Sequence, residues 1–205
     1  MSAESTRFVS RGGNKLDHAL QAFGIDVRGW RCADLGCSTG GFTDCLLRRG
    51  ALRVYAVDTG YGVLDWRLRT DARVVVMERT NAMHVVLPEP VELVVVDAGW
   101  TRQKHLLPRA TALLAAGGSI VSLVKPHYEA DRTKLRAGVL AEGAIDAVLA
   151  KVRNDVHACG LRILAETVSP IRGRGGNSEF LWWLAPESGG EGNVGHAAGR
   201  AAEQG

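Results

Sequence analysis

The sequence lacks the features that identify membrane, secreted and zinc-binding proteins. No apolar stretch approaches the roughly 20 residues that a membrane-spanning helix needs, and no secretory signal is visible. The four cysteines (Cys32, Cys37, Cys45, Cys159) include no C-x-x-C pair, which favours reduced core or loop residues over a zinc site. These observations predict a cytoplasmic protein that binds no metal and no membrane.

The composition is that of one ordinary globular domain. The chain has 205 residues, of which 46% are hydrophobic, so it can bury a sizeable core. Its formal charge of +3 permits an anionic partner without demanding one. After Pro186 the sequence turns to Gly, Ala, Glu and Gln without apolar periodicity. We therefore expect a single domain over 1–186 and a disordered tail over 187–205.

A glycine-rich stretch near the N-terminus organises the rest of the chain. A short apolar run ends at Asp34, small residues follow, and a helical pattern begins at Phe42. This order predicts a strand, a tight turn and a helix N-terminus, where a ligand can approach the backbone closely. The candidate cofactor-binding residues of the turn are Gly36, Ser38, Thr39, Gly40, Gly41 and Phe42.

The spacing to the next strand suggests the type of ligand. Asp58 lies 22 residues after Gly36, about where an acidic residue reaches the hydroxyls of a bound ribose. The sequence contains neither a strict G-x-G-x-x-G nor a G-x-x-x-x-G-K-[ST] motif, so a dinucleotide or nucleoside triphosphate is disfavoured. S-adenosylmethionine, which has a ribose and no phosphate chain, fits. The alternative is a tight turn that binds nothing.

Strand and helix patterns alternate along the chain, which predicts an α/β protein with a doubly wound, mostly parallel sheet of seven strands. Gly12 and Gly13 should form a flexible entry to the first helix, and Gly117 and Gly118 should end a later one. The predicted strands are 31–34, 53–58, 73–77, 92–97, 119–125, 162–168 and 180–184, and the predicted helices are 15–23, 42–49, 103–116 and 143–159.

The last strand should run antiparallel to the others. Only the ten residues 169–178 connect it to the strand before, too few for a helical crossover. This arrangement is that of the S-adenosylmethionine-dependent methyltransferase sheet, which resembles the Rossmann fold.

Charged residues end several predicted strands and should meet at one edge of the sheet. Asp34, Asp58, Asp97 and Lys125 each end a predicted parallel strand, and an antiparallel last strand brings Glu179 to the same edge. Lys15, which precedes the first strand, could fold over this edge. Strand-terminal charges that are merely solvated are the alternative interpretation.

Two lysines and two acids beside a cofactor suit methyl transfer to a hydroxyl group. The hydroxyl must lose its proton, and a lysine can accept it only while neutral. A second ammonium nearby favours the neutral form. We expect Lys125 to act as the base, while Lys15, Asp97 and Glu179 orient it and the hydroxyl.

Several segments resemble the TlyA-type branch of the FtsJ-like RNA ribose methyltransferases, sometimes described as haemolysins. The resemblance covers roughly residues 8–184, and its most specific parts are S-T-G-G-F-T-D and the terminal G-N-x-E. The matching segments are Val9–Lys15, Asp34–Asp44, Val54–Gly62, Glu78–Asn81, Leu123–Pro126 with Glu129, Ser169–Ile171 and Gly176–Glu179.

The resemblance implies roles for individual residues. Lys15, Asp97, Lys125 and Glu179 match the family's Lys-Asp-Lys-Glu catalytic set. The implied cofactor contacts are Gly40, Phe42, Asp58 and Asp97, with Glu78 or Asn81 near the adenine. The implied activity is 2′-O-methylation of RNA, with ribosomal RNA or a ribosomal subunit as partner.

The chain departs from the family pattern in three places. Bacterial members usually carry an S4-type RNA-binding domain before the catalytic one, and only about eight residues precede the match here. Ala98-Gly99-Trp100 replaces the usual Val-Ser-Phe, and His127-Tyr128-Glu129 replaces Gln-Phe-Glu. The same chemistry on a non-ribosomal RNA or a small hydroxyl compound, or a non-catalytic RNA-binding or assembly factor, therefore remains an alternative.

An RNA substrate would need cations and a stacking surface near the site. Trp100 could stack a base. The segments predicted to flank the sheet edge carry five cations that could contact phosphates: Arg7, Arg11, Lys104, Arg172 and Arg174.

Overall fold

The computed structural model describes residues 7–99 and 101–187. The strands are β1 (Arg31–Leu35), β2 (Arg53–Val57), β3 (Val74–Met77), β4 (Val91–Val96), β5 (Leu114–Val124), β6 (Leu135–Arg136), β7 (Val139–Leu140), β8 (Leu161–Val168) and β9 (Phe180–Pro186). The α-helices are α1 (Gly12–Ala22), α2 (Gly41–Arg48), α3 (Trp66–Arg69), α4 (Gln103–Ala112), α5 (Pro126–Glu129) and α6 (Ile145–Ala158). The predicted tail lies outside the described residues, except for Glu187.

Seven strands form one twisted sheet in the order β3-β2-β1-β4-β5-β9-β8. The first five pair in parallel, whereas β9 is antiparallel to both β5 and β8. The predicted mostly parallel sheet with an antiparallel last strand is therefore confirmed. The strand order reverses between β1 and β4, and ligands of open α/β sheets bind beyond the carboxyl ends of strands at such a point.

Helices cover both faces of the sheet. Leu16 and Leu20 of α1 join Leu46 of α2 in the core cluster on one face. Leu106 of α4 and Val152 of α6 belong to the cluster on the other face. The β-branched run of β4 is buried on both sides, as expected of a central parallel strand, whereas that of β3, at the edge of the sheet, is only half-buried.

The predicted helix 103–116 is too long at its C-terminal end. Helix α4 ends at Ala112, and β5 already begins at Leu114, which pairs with Val91. The register of the pairing then shifts, so that Leu93 lies opposite Ser119. Gly117, with a φ of 77°, therefore lies in a strand irregularity instead of ending the helix.

The predicted flexible entry at Gly12 and Gly13 is also wrong, because both residues are part of α1. A Cβ atom on Gly13 would lie 2.3 Å from Cγ of the buried Phe8, and one on Gly41 would lie 2.8 Å from the Gly13 nitrogen. These glycines allow the start of α1 to pack directly against the start of α2.

Asp34 is not at the open edge of the sheet. It is the second-last residue of β1, is fully buried, and its Oδ2 accepts a hydrogen bond of 2.7 Å from the Thr43 hydroxyl. Its Oδ1 has no partner among the described residues. Burial, only partly offset by the Thr43 hydrogen bonds, raises the pKa of Asp34 to about 7.

Asp34 should make the stability of the fold pH-dependent. The unfolded chain releases this proton near pH 4, whereas the folded chain keeps it until about pH 7. The free energy of unfolding should therefore fall as the pH rises through this window. Asp34→Asn cannot ionise, so urea denaturation at several pH values should show a smaller fall for the variant than for the wild type. Parallel pH profiles for the wild type and Asp34→Asn would contradict the raised pKa of Asp34. Thr43→Val removes a hydrogen bond that lowers this pKa, so the free energy of unfolding should fall more steeply with pH in that variant.

Candidate active site

The turn after β1 lies against the end of β4. Gly36 has a φ of 91°, and a Cβ atom there would lie 2.8 Å from the Asp97 carbonyl oxygen, so a side chain does not fit. The backbone N–H groups of Ser38 and Gly60 donate to the two carboxylate oxygens of Asp58, each over 2.8 Å. Asp58 therefore joins the turn to the loop that follows β2.

A cavity of about 490 Å³ opens at this point, which we call the β1–β4 cavity. Its size is within the range of small-molecule sites. Six predicted site residues line it: Gly36, Ser38, Asp58, Asn81, Asp97 and Lys125. Apolar side chains, including those of Val57, Ala82 and Leu106, complete its wall.

A second cavity of about 470 Å³, the lysine cavity, shares Gly36, Ser38, Asp97 and Lys125 with the first. The two cavities therefore adjoin at the ends of β4 and β5. The other predicted site residues that line the lysine cavity are Lys15, Thr39, Gly41, Phe42 and Glu179.

Gly40 and Glu78 line neither cavity. Gly40 has a φ of 101°, and a Cβ atom there would meet Leu64 and Leu68. The Glu78 carboxylate accepts hydrogen bonds from backbone N–H groups of the 62–64 loop and pairs with Arg69 at 2.5 Å. Both residues shape the loops around the site, and their direct contact with a cofactor stays a prediction.

The four candidate catalytic residues form two ion pairs in the lysine cavity. Lys125 pairs with Asp97, and Lys15 pairs with Glu179. Asp97 and Lys125 directly follow the parallel strands β4 and β5, while Glu179 directly precedes the antiparallel β9. Lys15, on α1, reaches the same edge from the face of the sheet that α1 covers.

Burial strengthens the electrostatics of this group. The Glu179 side chain is 4% exposed and that of Lys15 is 12% exposed. Burial raises the pKa of Asp97, while the positive charges of Lys125 and Lys15 oppose that rise. Two cations and two acids around one cavity can hold a hydroxyl group in a fixed orientation and provide a site for its proton.

The loop before Glu179 is fixed by Gly173 and Asn177. A Cβ atom on Gly173 would lie 2.1 Å from the Glu179 Oε1 atom, so the loop needs glycine for this approach. The Asn177 side chain accepts a hydrogen bond from the Leu140 N–H and donates one to the Gly138 carbonyl, each over 3.0 Å. The asparagine of G-N-x-E thus anchors the loop to the β6–β7 hairpin.

Other motif residues also have structural partners. Asp44, the last residue of S-T-G-G-F-T-D, accepts a hydrogen bond of 2.9 Å from the Val9 N–H and pairs with Arg48. Glu129 accepts a hydrogen bond of 2.8 Å from the Gln103 N–H at the start of α4. These contacts hold the N-terminal segment and α4 in place around the cavities.

The predicted RNA-binding cations have mixed positions. Arg11 lines the lysine cavity, while Arg7 is exposed and pairs with Asp17 at 3.5 Å. Lys104 is half-buried on α4. Arg172 donates to the Gly176 carbonyl over 3.1 Å and pairs with Glu142 at 3.5 Å. The Arg174 side chain and Trp100 lie outside the described part of the structure.

A second group of cations was missed by the sequence interpretation. Arg132, Lys134 and Arg136 are exposed in the hairpin segment that follows α5. The signal that could have revealed them is three cations within five positions, a few residues after Lys125. Within residues 7–99 and 101–187, no group of three or more His, Cys, Asp or Glu side chains could hold a metal ion.

Comparison with known proteins places these observations in context. Residues 8–185 match the FtsJ-like methyltransferase family. The chain is 43% identical over 188 residues to the 16S/23S rRNA (cytidine-2′-O)-methyltransferase TlyA of Mycobacterium tuberculosis. The match covers 88% of this chain and 69% of that relative. It is 36% identical to Hemolysin A of Brachyspira hyodysenteriae, over 87% of this chain and 77% of that protein.

A solved structure has a similar fold. A protein from Streptococcus thermophilus described as a hemolysin superposes with a TM-score of 0.87 at 38% identity, covering 91% of this chain and 70% of that one.

Lys15 and Glu179 should be energetically coupled. Removing one partner leaves the other charge poorly compensated in a largely buried site. The losses of unfolding free energy in Lys15→Met and Glu179→Gln should therefore add up to more than the loss in the double variant. Urea denaturation of the four proteins should give a coupling energy of about 1–3 kcal/mol.

The exposed pair Arg28–Asp26, with side chains 78% and 59% exposed, provides the matched control. The same cycle there should give a smaller coupling energy, because solvent screens an exposed ion pair. Equal coupling in the two cycles would contradict a special role for the buried pair.

Proposed function

The chain belongs to the FtsJ-like methyltransferase family, and from this premise we propose that it transfers a methyl group from S-adenosylmethionine to the 2′-hydroxyl of a ribose in RNA. The observation that carries the proposal is the arrangement of two lysine–carboxylate pairs beside a glycine-lined cavity at the reversal of strand order. A methyltransferase acting on a hydroxyl needs both parts, a donor site and a site for a proton.

The β1–β4 cavity fits the proposed cofactor. Asp58 offers a carboxylate for the ribose hydroxyls, and Val57, Ala82 and Leu106 offer apolar surface for the adenine. Gly36 lines the cavity, and the absence of a side chain there lets the turn after β1 pack against the end of β4. When bound, S-adenosylmethionine supplies an electrophilic methyl group. The negative charge of Asp97, at the junction of the cavities, suits the cationic part of such a ligand.

The lysine cavity is the proposed site of the ribose hydroxyl. Lys125, in its neutral form, accepts the hydroxyl proton at Nζ, while Asp97 fixes the position of the amine. Lys15 and Glu179 hold each other and orient the hydroxyl oxygen. Strand β5 and Pro126 fix the backbone of Lys125 on both sides, which favours it over Lys15 as the base.

Ribosomal RNA is the proposed substrate, because a relative that is 43% identical over 188 residues is named a 16S/23S rRNA (cytidine-2′-O)-methyltransferase. The exposed cations Arg132, Lys134 and Arg136, in and just before β6, support an anionic polymer as substrate. A ribosomal substrate would place the protein in the cytoplasm. Among the described helices, none is long and apolar enough to span a membrane. We further propose that residues 1–186 form a single methyltransferase domain.

A non-ribosomal RNA is the second candidate substrate. His127 and Tyr128, where the family usually has Gln and Phe, line the lysine cavity and alter its substrate-facing wall. Transfer of labelled methyl groups to total RNA and to separate ribosomal subunits, followed by nuclease digestion, distinguishes the two substrates and separates ribose from base methylation.

Lys125→Ala should reduce methyl transfer by at least about 100-fold, because it removes the proton acceptor. Calorimetry should find the affinity for S-adenosylmethionine almost unchanged. The control is Lys151→Ala, an exposed lysine in the middle of α6, which should retain full activity. Retained transfer in Lys125→Ala would remove this residue from the role of base. A wild-type protein that binds no S-adenosylmethionine at millimolar concentration would overturn the methyltransferase assignment.

Lys134 and Arg136 should contribute to RNA affinity through phosphate contacts. Replacing both with Ala should weaken RNA binding and reduce the slope of log affinity against log salt concentration by about 1.4, because two fewer counterions are released. Lys151→Ala/Arg162→Ala is the matched control, since Arg162 is the second residue of β8 and lies at the edge of the sheet opposite the site. An unchanged salt slope would exclude the hairpin from the RNA interface.

A further inference from the structure

A third cavity, of about 550 Å³, lies between α5 and the β6–β7 hairpin and has no role in the proposed chemistry. We call it the hairpin cavity. Its wall includes His127 and Tyr128 of α5, Leu135 and Ala137 of the hairpin segment, and Arg102 and Arg132. Its volume is sufficient for a small aromatic ligand.

The hairpin cavity is next to the lysine cavity. His127 and Tyr128 line both, and their ring centroids are 4.1 Å apart with a tilt of 49°. The Lys125 Nζ atom lies 5.7 Å from the centre of the Tyr128 ring. A group bound in the hairpin cavity is therefore separated from the proposed base by little more than one aromatic ring.

His127, in this wall, is a buried polar residue whose ring nitrogen Nδ1 has no hydrogen-bond partner among the described residues. It is 7% exposed, and burial together with the positive charges of Lys125 and Lys15 lowers its pKa to about 4. Its ring is therefore neutral near pH 7.

The environment of Nδ1 indicates which nitrogen carries the proton. A proton at Nδ1 would be a buried N–H donor without an acceptor, which is costly. The tautomer with the proton on Nε2 leaves Nδ1 as an unpaired acceptor instead, which buried sites tolerate better than an unpaired N–H donor. Nε2–H is then the group that His127 can offer to a ligand, and it donates to an acceptor such as a carbonyl oxygen or a ring nitrogen.

The other residues of the wall also suit a flat aromatic ligand that carries hydrogen-bond acceptors. Ala130, Leu135 and Ala137 provide apolar contact, and Tyr128 provides an aromatic face. Arg102, Asp131 and Arg132 also line the wall, and Arg102 pairs with Asp131 at 3.6 Å, which leaves Arg132 as the cation available to a phosphate attached to a heterocycle. A nucleobase has this combination of a flat apolar body, acceptor atoms and a neighbouring phosphate.

We propose that the hairpin cavity binds a nucleobase of the RNA substrate, next to the ribose at Lys125, and that His127 is a specificity-determining residue that donates a hydrogen bond from Nε2 to an acceptor atom of that base. This inference rests on the proposed function, since it assumes an RNA substrate. It assigns a role to a position where this chain departs from its family.

The cavity can be tested without methyl transfer. The protein, labelled with ¹⁵N-histidine, is titrated with the four nucleoside 5′-monophosphates and, as a control, with ribose 5-phosphate. The His127 resonances are identified by their loss in His127→Leu. Nucleotides should shift the Nε2 resonance and ribose 5-phosphate should not. Equal shifts with ribose 5-phosphate would indicate a phosphate site, and no shift with any nucleotide at millimolar concentration would equally overturn the proposal.

Kinetics on ribosomal subunits or total RNA provide the second test. His127→Leu should raise KM for RNA about tenfold, as expected for one lost hydrogen bond, with little change in kcat. His127→Asn keeps a short polar side chain and should recover part of that loss. Thermal unfolding of both variants checks that the fold is intact.

The outcomes separate this proposal from the broader one. Wild-type transfer to RNA with an unchanged KM in His127→Leu would overturn the role of His127 and leave the proposed function standing. A wild type that transfers no methyl group to RNA would overturn the proposed function, and the nucleotide titration would still decide whether the cavity takes a base.

Discussion

The ion pair between Lys15 and Glu179 is the contact on which the site most depends. The two residues are 164 positions apart, one on the first helix and the other directly before the last strand. Neither charge is well solvated, so each needs the other to remain buried. Satisfying this requirement places α1 over the carboxyl edge of the sheet, beside the Lys125–Asp97 pair. The lysine cavity is therefore enclosed by elements from both ends of the described chain.

The antiparallel direction of β9 makes this pairing possible. A parallel strand in the same position would begin at the opposite edge and carry Glu179 away from the lysines. Because β9 pairs antiparallel to β5, its first residues lie beside the last residues of β5, and Phe180 is opposite Val124. The short connection after β8 thus determines the topology and also supplies the fourth charged group of the site.

The sequence predicted the central strands and the members of the ionic cluster because those features produce strong local patterns. β1, β2 and β4 are apolar runs that end in acidic residues or a glycine turn, and a strand end places its next side chain at a known edge. The errors arose where a long-range contact overrides the local pattern. Gly117 resembles a helix stop but lies in an irregular pairing with β4, and Gly12 and Gly13 resemble a flexible entry but pack against α2. Asp34 resembles an edge residue but is buried beside Thr43.

The residues of the family motifs divide into those that face a cavity and those that hold the cavity's walls. Thr43, Asp44, Glu129 and Asn177 make hydrogen bonds within the described chain, and each joins two segments that border the site. The chemistry of the lysine cavity can therefore stay constant while the loops in front of it vary. His127 and Tyr128 sit in the motif with Glu129, yet they face two cavities while Glu129 anchors α4. Substitution at those two positions changes the walls of both cavities, while the hydrogen bond from the Gln103 N–H to Glu129 still holds α4 in place.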